Sequence, residues 1–267
     1  MNNPIPFRTH KMQASPVAAL RCPNMLAVAS GKGGVGKTLV SITLCHALAR
    51  SKKNVLLFDG DLGLANVDIQ LGLTPEKDLA NVTEGAITLK DAVTHYKDGN
   101  FDILAGRSGA GNLATMSAGR LVEIRSSLIE LAPSYDYVIV DLGAGVDRPV
   151  RQMAGPAATT YVVLTDEPTS LTDAYAFIKL SLAANPKASI QIIVNQATSQ
   201  KEGQATYDTI AKACQTFLQT TPPLAGIIRR DIKVREAIRM QTPLLIRSPL
   251  CEAAQDIEAI AASVMRG

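Results

Sequence analysis

Six side chains in this sequence have the types and spacing to do chemistry together: Lys32, Lys37, Thr38, Asp59, Asp61 and Asp141. The first three lie in "GKGGVGKT", Gly31 to Thr38, which fits the pattern G-x-x-x-x-G-K-[ST]. Glycines in such a run let successive backbone N–H groups converge on phosphate oxygens. Lys37 offers a cation to the β- and γ-phosphates, and Thr38 offers a hydroxyl to Mg²⁺. A helix starting at Thr38 adds the positive end of its dipole. The candidate contacts to a nucleotide are therefore Gly31, Lys32, Gly33, Gly34, Val35, Gly36, Lys37, Thr38 and Leu39. One lysine is enough to hold a phosphate, so Lys32 needs an explanation of its own.

The three acids stand where strands should end. In "LLFDGDLGLANVD", Asp59 and Asp61 follow an apolar run, two residues apart, so one can lie near a metal and the other near water. In "YDYVIVDLGAG", Asp141 closes a strand before a glycine turn, where a carboxylate can hold Mg²⁺ through water. A turn aspartate with no ligand is the plain alternative for each.

These residues need a scaffold of alternating elements. Apolar runs at Met25–Ala29, Asn54–Phe58, Phe101–Leu104, Tyr137–Val140, Thr160–Leu164, Ile190–Val194 and Leu224–Ile228 read as strands. Helical periodicity falls at Thr38–Arg50, Ala118–Leu131, Thr172–Leu182, Tyr207–Leu218, Asp231–Met240 and Leu250–Met265. The strand runs are uniformly apolar, as in a sheet covered on both faces. The order predicts an α/β fold: a doubly wound, mostly parallel sheet with helices on both faces. Ligands in such folds sit beyond the carboxyl ends of the strands. Residues 24–267 suffice for one domain, and the polar, proline-spotted segment 1–23 reads as a flexible arm. Ser108–Ser117, "SGAGNLATMS", reads as a surface loop.

Composition narrows the function classes. Apolar residues make up 46% of the 267 and aromatic ones 4%, so the core must be aliphatic. A net charge of +3 does not by itself point to nucleic acid. The four cysteines are far apart and none forms a CxxC pair, which argues for free thiols and against a metal or iron–sulfur cluster. The first twenty residues lack the apolar stretch of a signal peptide, and no run of eighteen uncharged apolar residues is present. A cytoplasmic protein is expected.

Three segments together resemble one family. "KGGVGKT" is similar to the deviant Walker A motif of the MinD/ParA ATPases, where an extra lysine precedes the glycine pair. "DGDLGLANVD" resembles their switch I segment and "DLGAG" their switch II. "DEPTSLTDAYAFIK", Asp166 to Lys179, is similar to a stretch of the flagellar-number branch of that family, the FlhG/FleN regulators. "LAGIIRRDIKVREAIRMQTPLL" is similar to the base-binding loop and the helix after it. The resemblance implies a P-loop ATPase using ATP, ADP and Mg²⁺, with slow hydrolysis and an ATP-dependent homodimer. It implies that Lys32 reaches the partner's phosphates while Lys37 serves its own subunit. Asp61 would orient water, with Thr38, Asp59 and Asp141 near the metal. Asn195 would bind adenine and the loop Arg229–Asp231 would close over it. Flagellar regulatory or basal-body proteins are the implied partners, with division-site or DNA-partition ATPases as the neighbouring alternative.

The sequence also departs from that family. The last helix carries Leu250, Ala253, Ala254, Ile257, Ile260, Ala261 and Val264 on one face and Glu252, Asp256 and Glu258 on the other. Anionic lipid repels such a face, so packing on the sheet is expected and direct membrane anchoring is not. "MQASPVAALR", Met12 to Arg21, only loosely resembles a motif that stimulates a signal-recognition-type GTPase. The basic cluster Arg229, Arg230, Lys233, Arg235 and Arg239 reads as a solvated helix face, with DNA binding as its alternative.

Overall fold

Strands without polar alternation need cover on both faces, and the fold supplies it. The computed structural model describes residues 21–61, 66–106 and 117–266. Its strands are β1 (Cys22–Ser30), β2 (Val55–Gly60), β3 (Thr94–Tyr96), β4 (Phe101–Leu104), β5 (Tyr137–Ala144), β6 (Ala157–Leu164), β7 (Ile190–Ala197) and β8 (Leu224–Arg229). They form one sheet in the order β3-β4-β2-β5-β1-β6-β7-β8. Among the described residues only the β3–β4 pairing is antiparallel. The helices are α1 (Lys37–Arg50), α2 (Val67–Leu71), α3 (Leu79–Thr83), α4 (Ala118–Leu131), α5 (Arg148–Ala154), α6 (Pro168–Ala184), α7 (Gln200–Leu218), α8 (Ile232–Arg239), α9 (Leu244–Arg247) and α10 (Glu252–Arg266).

Successive residues of β1 point to opposite faces, and each face has its own core. Met25, Ala27 and Ala29 pack with Leu56, Phe58 and Val140 under α4 to α7. Leu26 and Val28 pack with Leu57 and Ile139 under α1, α2 and α8 to α10. From β1 the chain turns to one side for β2, and after β5 it crosses to the other side for β6. The strand order therefore reverses around β1, and the crevice above its carboxyl end is where ligands bind in open α/β sheets.

The expected strands and long helices are present; Phe101–Leu104 and Ala118–Leu131 have the expected ends and the others differ. β1 begins at Cys22, and the Arg21 guanidinium donates to the Lys187 carbonyl at 2.8 Å. α6 begins at Pro168, four residues ahead of the expectation, because proline suits the first turn of a helix. α7 begins at Gln200, where the Ser199 hydroxyl accepts from Glu202 N and caps it. β3 and the short helices α2, α3, α5 and α9 went unread, since elements this short carry too few residues to display a period.

The last helix packs on the sheet and on α1, as expected, with Ala253, Ala254, Ile257, Ile260 and Ala261 buried. Leu250 lies outside it and is 83% exposed, so it does not belong to the buried face. The acids opposite that face are committed to partners. Glu252 and Asp256 pair with Arg229, and Glu258 pairs with Arg50 at 2.9 Å. The arm motif up to Leu20 and the loop segment 108–116 lie outside the described residues.

Candidate functional site

The glycine-rich turn joins β1 to α1 at the reversal of strand order. At Gly36 both conformation and space call for glycine. Its φ is +94°, and an added Cβ would lie 2.3 Å from the Asn195 amide nitrogen. Gly31 is held by space instead: a Cβ there would meet the Asp173 backbone of α6 at 2.2 Å. The loop is pinned from β7. Asn195, itself buried, donates from Nδ2 to the Val35 carbonyl at 2.7 Å, and Gln196 donates to the Gly34 carbonyl at 3.3 Å.

The two lysines have different surroundings. Lys37 is 8% exposed at the start of α1. Burial lowers its pKa, while Asp141 and Asp61 work in the opposite direction. Lys32 sits at the surface with 37% of its side chain exposed. It pairs with Glu167 at the N-terminus of α6 and donates to the Thr169 hydroxyl at 2.9 Å. Its tie is thus to the "EPTS" segment, and Gly31 places the loop against the same helix.

Strand register brings the acids together. Asp59 on β2 is directly opposite Asp141 on β5, and both are buried. Burial pushes the Asp141 carboxyl up to about 6, against the Lys37 ammonium and hydrogen bonds from the Thr38 and Ser41 hydroxyls. The Ser41 hydroxyl donates to Asp141 Oδ1 at 2.9 Å. Asp59 is raised well above the usual carboxylate range, first by burial and then by Asp141. Its two oxygens accept from Asp61 N at 3.2 Å and Val67 N at 3.3 Å. The carboxylate of Asp61 lies against the second glycine turn, where a Cβ on Gly143 would be 3.4 Å from Oδ1. Gly145 N donates to the Ser30 carbonyl at 3.0 Å, which joins that turn to the end of β1.

Two buried, facing carboxylates with raised pKa values and hydroxyls from Thr38 and Ser41 suit a hard divalent cation. Among the described residues no group of three or more His, Cys, Asp or Glu is placed to hold a metal alone. Mg²⁺ takes one or two carboxylates and completes its shell with water and phosphate oxygens. The four cysteines are free thiols; Cys22, Cys45 and Cys214 are buried.

Beside the loop lies a cavity of about 510 Å³. Gly34, Gly36, Leu39, Asn195 and the segment Ile228–Asp231 line it, with Gln70 of α2 on its wall. Arg229 reaches it only in part, because its guanidinium makes two 2.9 Å bonds to Asp256 and one of 2.6 Å to Glu252. The Asp231 carboxylate accepts from Lys233 N and Glu252 N and so shapes the loop. Of the basic cluster, Arg230 and Arg235 line the cavity, and Lys233 pairs with Glu236. Sequence reasoning missed Ser41, Glu167, Thr169, Gln196 and Gln70. Ser41 was legible, one helical turn beyond Thr38 on the same face.

Comparison with known proteins gives the chain's family. Residues 26–244 match the model of the CobQ/CobB/MinD/ParA nucleotide binding domain. The chain is 35% identical over 240 residues to the antiactivator FleN of Pseudomonas aeruginosa, covering 90% of this chain and 85% of FleN. It is 28% identical to the flagellum site-determining protein YlxH of Helicobacter pylori, covering 82% and 76%. The MinC:MinD cell division protein complex of Aquifex aeolicus includes a chain of the same fold, with TM-score 0.75 and 26% identity over 91% of this chain and 96% of that one. The chain belongs to the CobQ/CobB/MinD/ParA family of nucleotide-binding domains, with the MinD/ParA ATPase fold.

Proposed function

We propose that this family member is an ATP-dependent dimerisation switch that controls flagellar number or placement and resets by slow, Mg²⁺-dependent ATP hydrolysis. The observation that carries the reading is the inequality of its lysines. Lys37 is buried among the carboxylates, whereas Lys32 stands at the surface beside the site. A buried lysine serves the phosphates of its own subunit. A surface lysine at the rim can serve a second subunit, where one more cation offsets charge developing during phosphoryl transfer. The flagellar assignment is supported by the similarity to FleN and YlxH.

In this reading Gly31 to Leu39 cradle the phosphates, and Thr38, Asp59 and Asp141 hold Mg²⁺. Bound Mg²⁺ supplies charge neutralisation and fixes the geometry of the phosphate oxygens. Asp61 orients the attacking water beside Gly143. Asn195 and the loop Arg229–Asp231 flank the base, the loop through its backbone since both side chains are engaged. Flagellar regulatory or basal-body proteins then read the dimer, in the cytoplasm or recruited to a membrane by those partners. Among the described residues no helix is long and apolar enough to cross a membrane.

Static light scattering with ATP and Mg²⁺ tests the switch. Asp61→Ala should accumulate as an ATP-bound dimer. Lys37→Ala should lose nucleotide binding, and Lys32→Ala should bind ATP yet stay monomeric. A monomeric Asp61→Ala protein at saturating ATP refutes the proposal. A division-site role, favoured by the relation to MinD, would appear as recovery of division proteins rather than flagellar ones on the trapped Asp61→Ala dimer.

A further inference from the structure

At the end of β7 two neighbouring side chains do what a regular strand forbids. Successive residues of a strand point to opposite faces. Yet Asn195 Nδ2 donates to the Val35 carbonyl at 2.7 Å and Gln196 Nε2 donates to the Gly34 carbonyl at 3.3 Å, so both reach the same loop. The pairing of β7 with β8 shows why. Val194 is opposite Ile227 and Ala197 is opposite Arg229, so three steps along β7 match two along β8. The extra residue is a bulge, a device that re-aims side chains and recurs beside active sites. Gln196 takes the left-handed conformation there, at φ +59°. That conformation is unfavourable for a residue with a side chain and persists where its surroundings enforce it.

What the bulge achieves follows from peptide geometry. A trans peptide unit is planar, with its C=O and N–H pointing in opposite directions. Among the described residues no peptide bond is cis. The Gly34 carbonyl shares its unit with the Val35 N–H, and the Val35 carbonyl shares its unit with the Gly36 N–H. Two carbonyls drawn toward β7 therefore turn two successive N–H groups to the other side of the loop. Successive N–H groups aimed one way make an anion-binding concavity. We propose that Gln196 is a positioning residue for phosphate: with Asn195 it holds the loop carbonyls outward, so that the Val35 and Gly36 N–H groups are set for phosphate oxygens before nucleotide arrives. The proposal rests on the reading of Gly31 to Leu39 as a phosphate cradle.

Gln196 also lines the cavity beside the loop, so the test must separate this role from a contact with the base. Inorganic tripolyphosphate does so, because it carries phosphates alone. Calorimetry of the full chain with ATP and Mg²⁺, and displacement of that ATP by tripolyphosphate, give both affinities. Gln196→Met keeps the length of the side chain and removes the donor. It should weaken both ligands by the same factor, about 3- to 10-fold. Gln196→Gly also loses the donor but relieves the left-handed strain, so it should show the same loss while melting within about 4 °C of the wild type. Wild-type affinity for tripolyphosphate in either variant overturns the proposal, whether or not ATP is weakened. A Gln196→Gly protein that melts further below the wild type overturns it too, since the residue would then support the fold rather than the loop. Wild-type protein from which tripolyphosphate does not displace ATP overturns the phosphate-cradle reading instead, and the two failures are thereby distinguished.

Discussion

Replacing Gly36 by alanine should cost stability in a way that Asn195 controls. The residue sits at φ +94° and ψ 21°, in the left-handed region, where an alanine costs about 1–2 kcal/mol. The new methyl would also lie 2.3 Å from Asn195 Nδ2, so the amide must swing away from the Val35 carbonyl. Breaking that buried bond costs a further 1–3 kcal/mol or so. Gly36→Ala should therefore lose about 2–5 kcal/mol. Asn195→Ala removes the same hydrogen bond by itself, at about 1–3 kcal/mol. In the double variant the bond is lost once and the clash is gone, so the total should match Gly36→Ala alone. The coupling is then about 1–3 kcal/mol, favourable to the double variant. Urea unfolding of all four proteins, followed by far-ultraviolet circular dichroism because the chain has no tryptophan, measures it. Losses that add to within about 0.5 kcal/mol would show that the two residues do not share one contact, and the pinned-loop argument would fail.

Glu167→Gln should loosen the hold on Lys32 and lower the ATP concentration at which dimers form, with nucleotide affinity of the monomer unchanged; light scattering against ATP concentration checks the first and calorimetry the second. An unchanged dimerisation curve would mean that the contact with α6 does not restrain Lys32. His46 on α1 is buried with no partner for Nδ1 among the described residues, and burial lowers its pKa to about 4 from an ordinary 6.5. The unfolded chain therefore binds more protons than the folded one between those values, and this group's contribution to stability is lost as pH falls through that window. His46→Leu removes that loss, so between pH 7 and 5 the variant should gain about 1–2 kcal/mol on the wild type, after allowance for screening. Parallel pH profiles of the two proteins would contradict the burial argument.

The parts of the site that sequence made legible are those encoded by local spacing. Lys37 and Thr38 follow from the glycine pattern, and Asp59, Asp61 and Asp141 stand at or just beyond the ends of recognisable apolar runs. What depends on packing between distant segments was not legible. Glu167 meets Lys32 across 135 positions of sequence because α6 passes over Gly31. Arg229 stands where a base contact is expected, yet its guanidinium turns to Asp256, 27 positions on, because α10 folds back beside β8. Gln70 sits on a five-residue helix with no period to read, and only the packing of α2 against α8 brings it to the cavity.

The same packing joins two tasks that look separate in the sequence. Asp59 holds Asp61 N with one oxygen and Val67 N with the other, so one buried carboxylate fixes the residue assigned to water and the first turn of α2. The Gln241 side chain donates to the Ile69 carbonyl at 3.0 Å, which ties α2 to the segment after α8 and thus to the far wall of the cavity. Through that one carboxylate the placement of Asp61 is tied to the start of the helix that lines the cavity.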